Sequence, residues 1–149
     1  MEKVKLQDLP SGRDGNGYIT INGRVIKGFT ITKIDGTIET KKDSRQFLGE
    51  RVEQSAVRGL RVSGNIGYAH TTSALLEAIR DYKNGGDYPD ITVQYYAEKT
   101  GRGRSEIVMT GVIIDTIGMG MLDDSSDAAM ITDSPFTAND FDIISSFKE

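Results

Sequence analysis

Only one stretch of this chain, residues 72–84, carries apolar side chains at helical spacing, so almost everything else must fold by strand pairing. Ala74, Leu75, Ala78, Ile79 and Tyr82 form its apolar stripe. Thr72 or Ser73 is suited to cap the start, and Gly85-Gly86 to end it, since glycine enters the left-handed region cheaply. The surrounding sequence has the period of strands. In residues 60–69, Leu60, Val62, Ile66 and Tyr68 alternate with Arg61, Ser63 and Asn65, the pattern of a strand buried on one face. Asn22-Gly23 lies between Tyr18-Ile19-Thr20-Ile21 and Arg24-Val25-Ile26-Lys27, a strong signal for a tight hairpin.

Other segments are less regular. Residues 29–39 read as a long strand whose alternation changes phase, from Phe29 and Ile31 to Ile34 and Ile38, as a bulge or a change of sheet would require. Residues 40–59 are charged and show no sustained period, so a long loop is expected there. The polar, glycine-bearing residues 1–16 are expected to be a flexible arm. Residues 91–97 read as a strand, followed by a turn over 100–104. Residues 106–117 are apolar on both faces and read as one central strand, with 119–122 as its bent continuation. The acidic C-terminal stretch keeps Phe136, Phe141, Ile143, Ile144 and Phe147, enough to dock on the rest. The expected fold is a single mainly β domain over residues 1–149, a small barrel or sandwich with one flanking helix.

The residues offer little for catalysis. No cysteine is present and His70 is the single histidine, which rules out the usual zinc sets and thiolate chemistry. Asp123, Asp124 and Asp127 lack the glycine and glutamate offsets of a calcium loop and read as a solvated turn. Gly12 to Gly17 precedes a strand, the reverse of a phosphate loop. Arg102 and Arg104 sit at a turn without an aromatic platform for nucleic acid. No enzyme activity, metal or cofactor is expected. No run is long and apolar enough to span a bilayer, and the charged start does not resemble a signal peptide, so synthesis and folding in the cytoplasm are expected.

Charge is split along the chain. Residues 1–62 hold 12 basic and 8 acidic side chains, and residues 63–149 hold 6 and 14. Both halves read as solvated surface or as complementary faces on copies of one protein.

Several pieces, in order, resemble the tube proteins of contractile phage tails, of the kind found in PBSX-like defective prophages. They are Tyr18-Ile19-Thr20-Ile21-Asn22-Gly23, Leu48-Gly49, Gln54, Gly59, Ser63-Gly64 and Thr72-Ser73. Tyr82, Gly85 and Gly111-Val112 follow, and the most distinctive piece is the closing Phe136-Thr137-Ala138-Asn139-Asp140-Phe141-Asp142-Ile143. The resemblance spans nearly the whole chain and rests on order and spacing together. It implies a tail-tube-type β domain, six copies closing into a ring, and rings stacking into a tube inside a sheath. Such a tube carries DNA as cargo, or perforates a cell envelope in phage-like bacteriocins. Implied partners are other copies, the sheath, and the baseplate and tape-measure proteins. The implied location is the virion or phage-like particle, assembled in the cytoplasm of the host bacterium.

On that footing Arg61, Ser63 and Asn65 are candidates to face the lumen, with Lys33, Asp35, Thr37 and Glu39 as further ones. Candidates for contact between rings are Lys41, Lys42, Arg45, Phe47, Leu48 and Arg51 from the 40–59 segment, and Asp123, Asp124 and Asp127. The competing reading is a monomeric β-barrel binding module of a baseplate or adhesin, which would keep the strands and form no polymer.

Overall fold

A computed structural model describes residues 15–26, 30–69, 73–99, 103–119, 122, 124–125 and 131–146. Among the described residues nine strands and one helix follow in the order β1 (Gly15–Ile21), β2 (Arg24–Val25), β3 (Thr30–Arg45), β4 (Gln54–Ala69), α1 (Ala74–Lys83), β5 (Ile91–Lys99), β6 (Gly103–Thr110), β7 (Ile113–Ile114), β8 (Ile131–Ala138) and β9 (Asp140–Ser145). They build a five-stranded sheet, β2-β1-β5-β6-β9, and a four-stranded sheet, β3-β4-β8-β7. Every pairing is antiparallel. The mainly β fold with one short helix is the one the sequence predicts.

The core lies between the sheets. Ile19, Ile21, Ile91, Val93 and Met109 come from the five-stranded sheet. Val62, Ile66, Tyr68, Ile114 and Phe136 come from the other. Burying such side chains contributes about 1.5–3 kcal/mol each. Leu75 of α1 is buried in this cluster, and Ala74 and Ala78 pack against it.

The Asn22-Gly23 hairpin forms as expected, with φ of 52° and 82° at the two turn residues. Its turn is clamped to the start of β5. The Asn22 amide donates to the Asp90 carbonyl at 2.8 Å, and the Asp90 amide donates to Asn22 Oδ1 at 2.9 Å.

The phase change in the first long strand is a bulge. The register of β3 against β4 shifts between Ile31 and Lys33, which moves Ile34, Gly36 and Ile38 onto the face that Ile31 began. β3 then crosses beneath the strands of the other sheet. A Cβ at Gly17 of β1 would stand 3.4 Å from Ile31 Cδ1. One at Gly36 would stand 3.1 Å from the Tyr95 hydroxyl of β5 and 3.4 Å from Met109 Sδ of β6. Ile38 shares an apolar cavity of about 160 Å³ with Ile107 of β6 and with Phe141 and Ile143 of β9. β3 therefore passes β1, β5, β6 and β9 in turn, the crosswise arrangement of two packed sheets.

Four expectations are corrected. The loop expected over 40–59 is mostly strand: β3 runs to Arg45 and β4 starts at Gln54, leaving only residues 46–53 as the connection. Its missing period has a simple cause. Beyond the sandwich both faces of this ribbon meet water, so nothing selects for alternation. Gly15 and Asn16, expected in the arm, belong to β1, and the rest of the arm lies outside the described residues. The single strand expected over 106–117 breaks at Gly111 (φ 63°) and changes sheet, with β6 in one and β7 in the other. A Cβ at Gly111 would stand 2.5–2.8 Å from the Asn139 side chain. Finally, Met119 and Leu122, expected to continue that strand, are exposed and outside any strand. The helix spans Ala74–Lys83, and Ser73 makes no side-chain cap bond. Thr72, His70, Phe29, Arg102 and Phe147 lie outside the described residues.

Candidate assembly surfaces

The register of β3 and β4 brings all seven lumen candidates onto one face. Asp35 lies opposite Asn65, Thr37 opposite Ser63, Glu39 opposite Arg61, and Lys33 opposite Gly67. Directly paired residues in an antiparallel ladder point to the same side. Two local bonds tie this face together: the Asn65 amide donates to Asp35 Oδ1 at 3.0 Å, and Thr37 Oγ1 donates to the Ser63 carbonyl at 3.4 Å. β8 extends the face with Asp133, Pro135 and Thr137, opposite Gly67, Asn65 and Ser63. The result is a polar, short-chained surface on which the guanidinium of Arg61 has the Glu39 carboxylate as its cross-strand neighbour. The sequence reading missed the β8 contribution, because residues 131–138 carry their burial on Ser134 and Phe136 and not on a clean apolar alternation.

The outer face of the five-stranded sheet is built differently. Tyr96 lies opposite Glu106, and Gln94 opposite Val108. Glu106 is buried between an ion pair to Arg104 and a 2.6 Å bond from Gln94 Nε2. The Arg104 guanidinium lies 3.7 Å over the Tyr96 ring. Sequence reading took Arg104 as a solvated turn residue. Its alternation with Glu106 and the facing Tyr96 was legible only with the register known.

The β3–β4 ribbon projects from the sandwich. β8 pairs with β4 only from Val62 onward, so residues 54–61 and their β3 partners extend for about 25 Å at ~3.3 Å per residue. Of the inter-ring candidates, Lys41, Lys42 and Arg45 lie on this ribbon, while Phe47, Leu48 and Arg51 lie in its turn. Phe47, Leu48 and Val52 are 56%, 105% and 73% exposed, apolar side chains set among Arg45, Glu50, Arg51 and Glu53. Asp124 is exposed in a turn; Asp123 and Asp127 lie outside the described residues. Asp43 pairs with Arg45 on its own strand at 3.4 Å and with Arg58 across the ribbon at 3.7 Å. These exposed pairs contribute little to stability.

Both sheets present unpaired backbone. Among the described residues β3 pairs only with β4, β9 only with β6, and β1 meets β2 only at Thr20 and Ile21. Such edges are templates for pairing with another chain. No group of three or more acidic or histidine side chains among the described residues is placed to hold a metal ion. No helix among them is long and apolar enough to cross a membrane.

Chains in several solved particle structures have a similar fold. A chain from the cryo-EM structure of the anti-feeding prophage baseplate superposes with a TM-score of 0.65 at 14% identity, covering 97% of each chain. One from the sheath/tube terminator of an extracellular contractile injection system (PVC) gives 0.64 at 7% identity, covering 87% of this chain and 94% of that one. One from the tube-terminating cap of the anti-feeding prophage gives 0.63 at 11% identity, again covering 97% of each. At these identities the likeness is one of fold. No curated protein matches the sequence. The family model described as phage tail tube protein matches residues 2–145, nearly the full length, and with it the chain belongs to the phage tail tube protein family.

Proposed function

We propose that this chain is the repeating structural unit of the inner tube of a contractile phage tail or phage-like particle, with six copies per ring and rings stacked into a conduit. The observation that carries this reading is the family match over residues 2–145. The open edges support it. The four-stranded sheet is antiparallel throughout and has an even number of strands, so its outer strands, β3 and β7, run in opposite directions. A neighbour rotated about an axis along the strands sets β3 antiparallel to β7, and the same step repeats until the ring closes.

The polar face of that sheet, with Lys33, Asp35, Thr37, Glu39, Arg61, Ser63 and Asn65, then lines the lumen. A conduit for DNA needs hydration without grip. This face offers polar groups, no aromatic platform, and the acids Asp35 and Glu39 alongside Lys33 and Arg61, so a phosphate chain passes without strong binding. The projecting ribbon, with Lys41, Lys42, Arg45, Phe47, Leu48 and Arg51, reaches the next ring. Asp123, Asp124 and Asp127 are the acidic candidates on that contact. The sheath surrounds the tube, and the baseplate and tape-measure proteins set its start and length. The role is structural, without catalysis, within the particle.

Purified protein seeded with a tail-tip complex and imaged by negative stain is expected to give hollow rods of uniform width. A population that stays monomeric or dimeric at high concentration, seeded or not, would support the monomeric binding module and end the tube reading.

A further inference from the structure

The ribbon tip and a groove lie at opposite ends of the molecule. β3 starts beside β1 and leaves the sandwich past β9, so the tip emerges at the β9 end. At the β1 end lies a groove of about 310 Å³ between β1 and the start of β3, lined by Gly15, Gly17, Ile31, Lys33, Tyr95 and Ala97 among others. Two features make it a seat and not a shallow irregularity. Gly15 and Gly17 leave its floor without side chains, and a Cβ at Gly15 would overlap the Tyr96 carbonyl oxygen at 1.7 Å. Residues 15–18 of β1 also have no strand partner among the described residues on the edge away from β5.

We infer that this groove takes the β3–β4 tip of a second copy of the chain, with Phe47 and Leu48 entering it. The inference rests on the tube reading and adds the receiving surface. Three observations select a copy's tip as the occupant. The tip holds exposed apolar side chains next to each other, Phe47 and Leu48, with Val52 close by in sequence. The groove and the tip lie at opposite ends of one molecule, which is what unlimited head-to-tail addition requires. The ribbon overhang of about 25 Å is long enough to clear the sandwich of its own copy and enter the next.

The absence of cysteine makes the test clean. A Leu48→Cys/Asn16→Cys double variant is treated with a short bis-maleimide before and after assembly. A ladder of covalent oligomers from assembled material, with at least a tenfold lower yield from unassembled protein, is the expected result. Leu48→Cys/Glu77→Cys, with the second site on α1, is expected to give no ladder. Rods that form normally without a ladder from the Asn16 pair overturn the seat and leave the tube reading intact. A ladder from the Glu77 pair instead places the tip elsewhere and overturns the seat as well. Wild-type protein that forms no rods on a tip complex overturns both. A further arm measures alkylation of the Asn16→Cys single variant. Its rate is expected to fall at least tenfold on assembly, and protection already complete in the monomer means the groove is filled within its own chain and overturns the inference.

Discussion

The two halves of the β3–β4 ribbon share one continuous ladder and live in different surroundings. In the inner half, Ile34, Val62, Ile66 and Tyr68 pack on the other sheet, and Gly36 and Gly64 permit close approach. In the outer half, Val57 and Leu60 stay exposed on the corresponding positions, and both faces carry polar side chains. Antiparallel pairing runs through both, with one register shift in each, between Ile31 and Lys33 and between Lys41 and Lys42. Ladder bonds are therefore not what separates them; burial is, since a typical bond contributes only about 1 kcal/mol net and strands need a packed face to persist. The outer half leaves its apolar side chains in solvent, and the proposed contact between copies would cover them.

This contrast can be broken in four places. Phe136→Ala, opposite Gly64 on the buried face, is expected to destabilise the monomer by about 3–5 kcal/mol in chemical denaturation, because it empties the centre of the core. Gly64→Ala is expected to cost about 1–3 kcal/mol by the same measurement. Its new Cβ would stand 2.1 Å from the Asp35 carbonyl oxygen and 2.8 Å from Phe136 Cζ, and the strands would have to separate.

Tyr95 adds a pH signature to the inner half. Burial, and secondarily the nearby Asp35 carboxylate, raise its hydroxyl pKa above the ordinary 10.0. The folded chain thus holds a proton that the unfolded chain releases. Stability is complete below pH 10 and falls as pH rises above it. Denaturation midpoints measured from pH 9 upward should decline in the wild type and flatten in Tyr95→Phe.

Val57→Thr, in the outer half, is expected to change monomer stability by no more than about 0.5 kcal/mol. A cost there as large as at Phe136 would mean that the ribbon is packed in the isolated molecule, and the contrast would fall.

The sequence disclosed the parts of the molecule where burial imposes a period. The Asn22-Gly23 turn was legible from the positive φ that its two residues adopt, and the helix stripe around Leu75 and the alternation from Val62 to Tyr68 belong to surfaces pressed against the core. The bulge at Thr32 was legible as a phase change for the same reason. What stayed hidden lacks that pressure. The outer ribbon reads as a loop because water on both sides permits any order of side chains. The sheet change at Gly111 hides inside an unbroken apolar run, since both sheets bury their side chains in the same core. The seven polar candidates of β3 and β4 could be named separately, but their union on one face depends on the bulge: without it, β3 would be out of step with β4.

The crosswise path of β3 also sets how the molecule answers mechanical load. Tension along the ribbon acts lengthwise on the β3–β4 ladder, so its bonds are sheared together and must fail in concert. The same tension meets the five-stranded sheet across its strands, where bonds can be peeled away one at a time, starting at the short β2 or at β9. Stiffness therefore has a direction in this protein, with the strong axis lying along the projecting ribbon and the weak seams at the margins of the opposite layer.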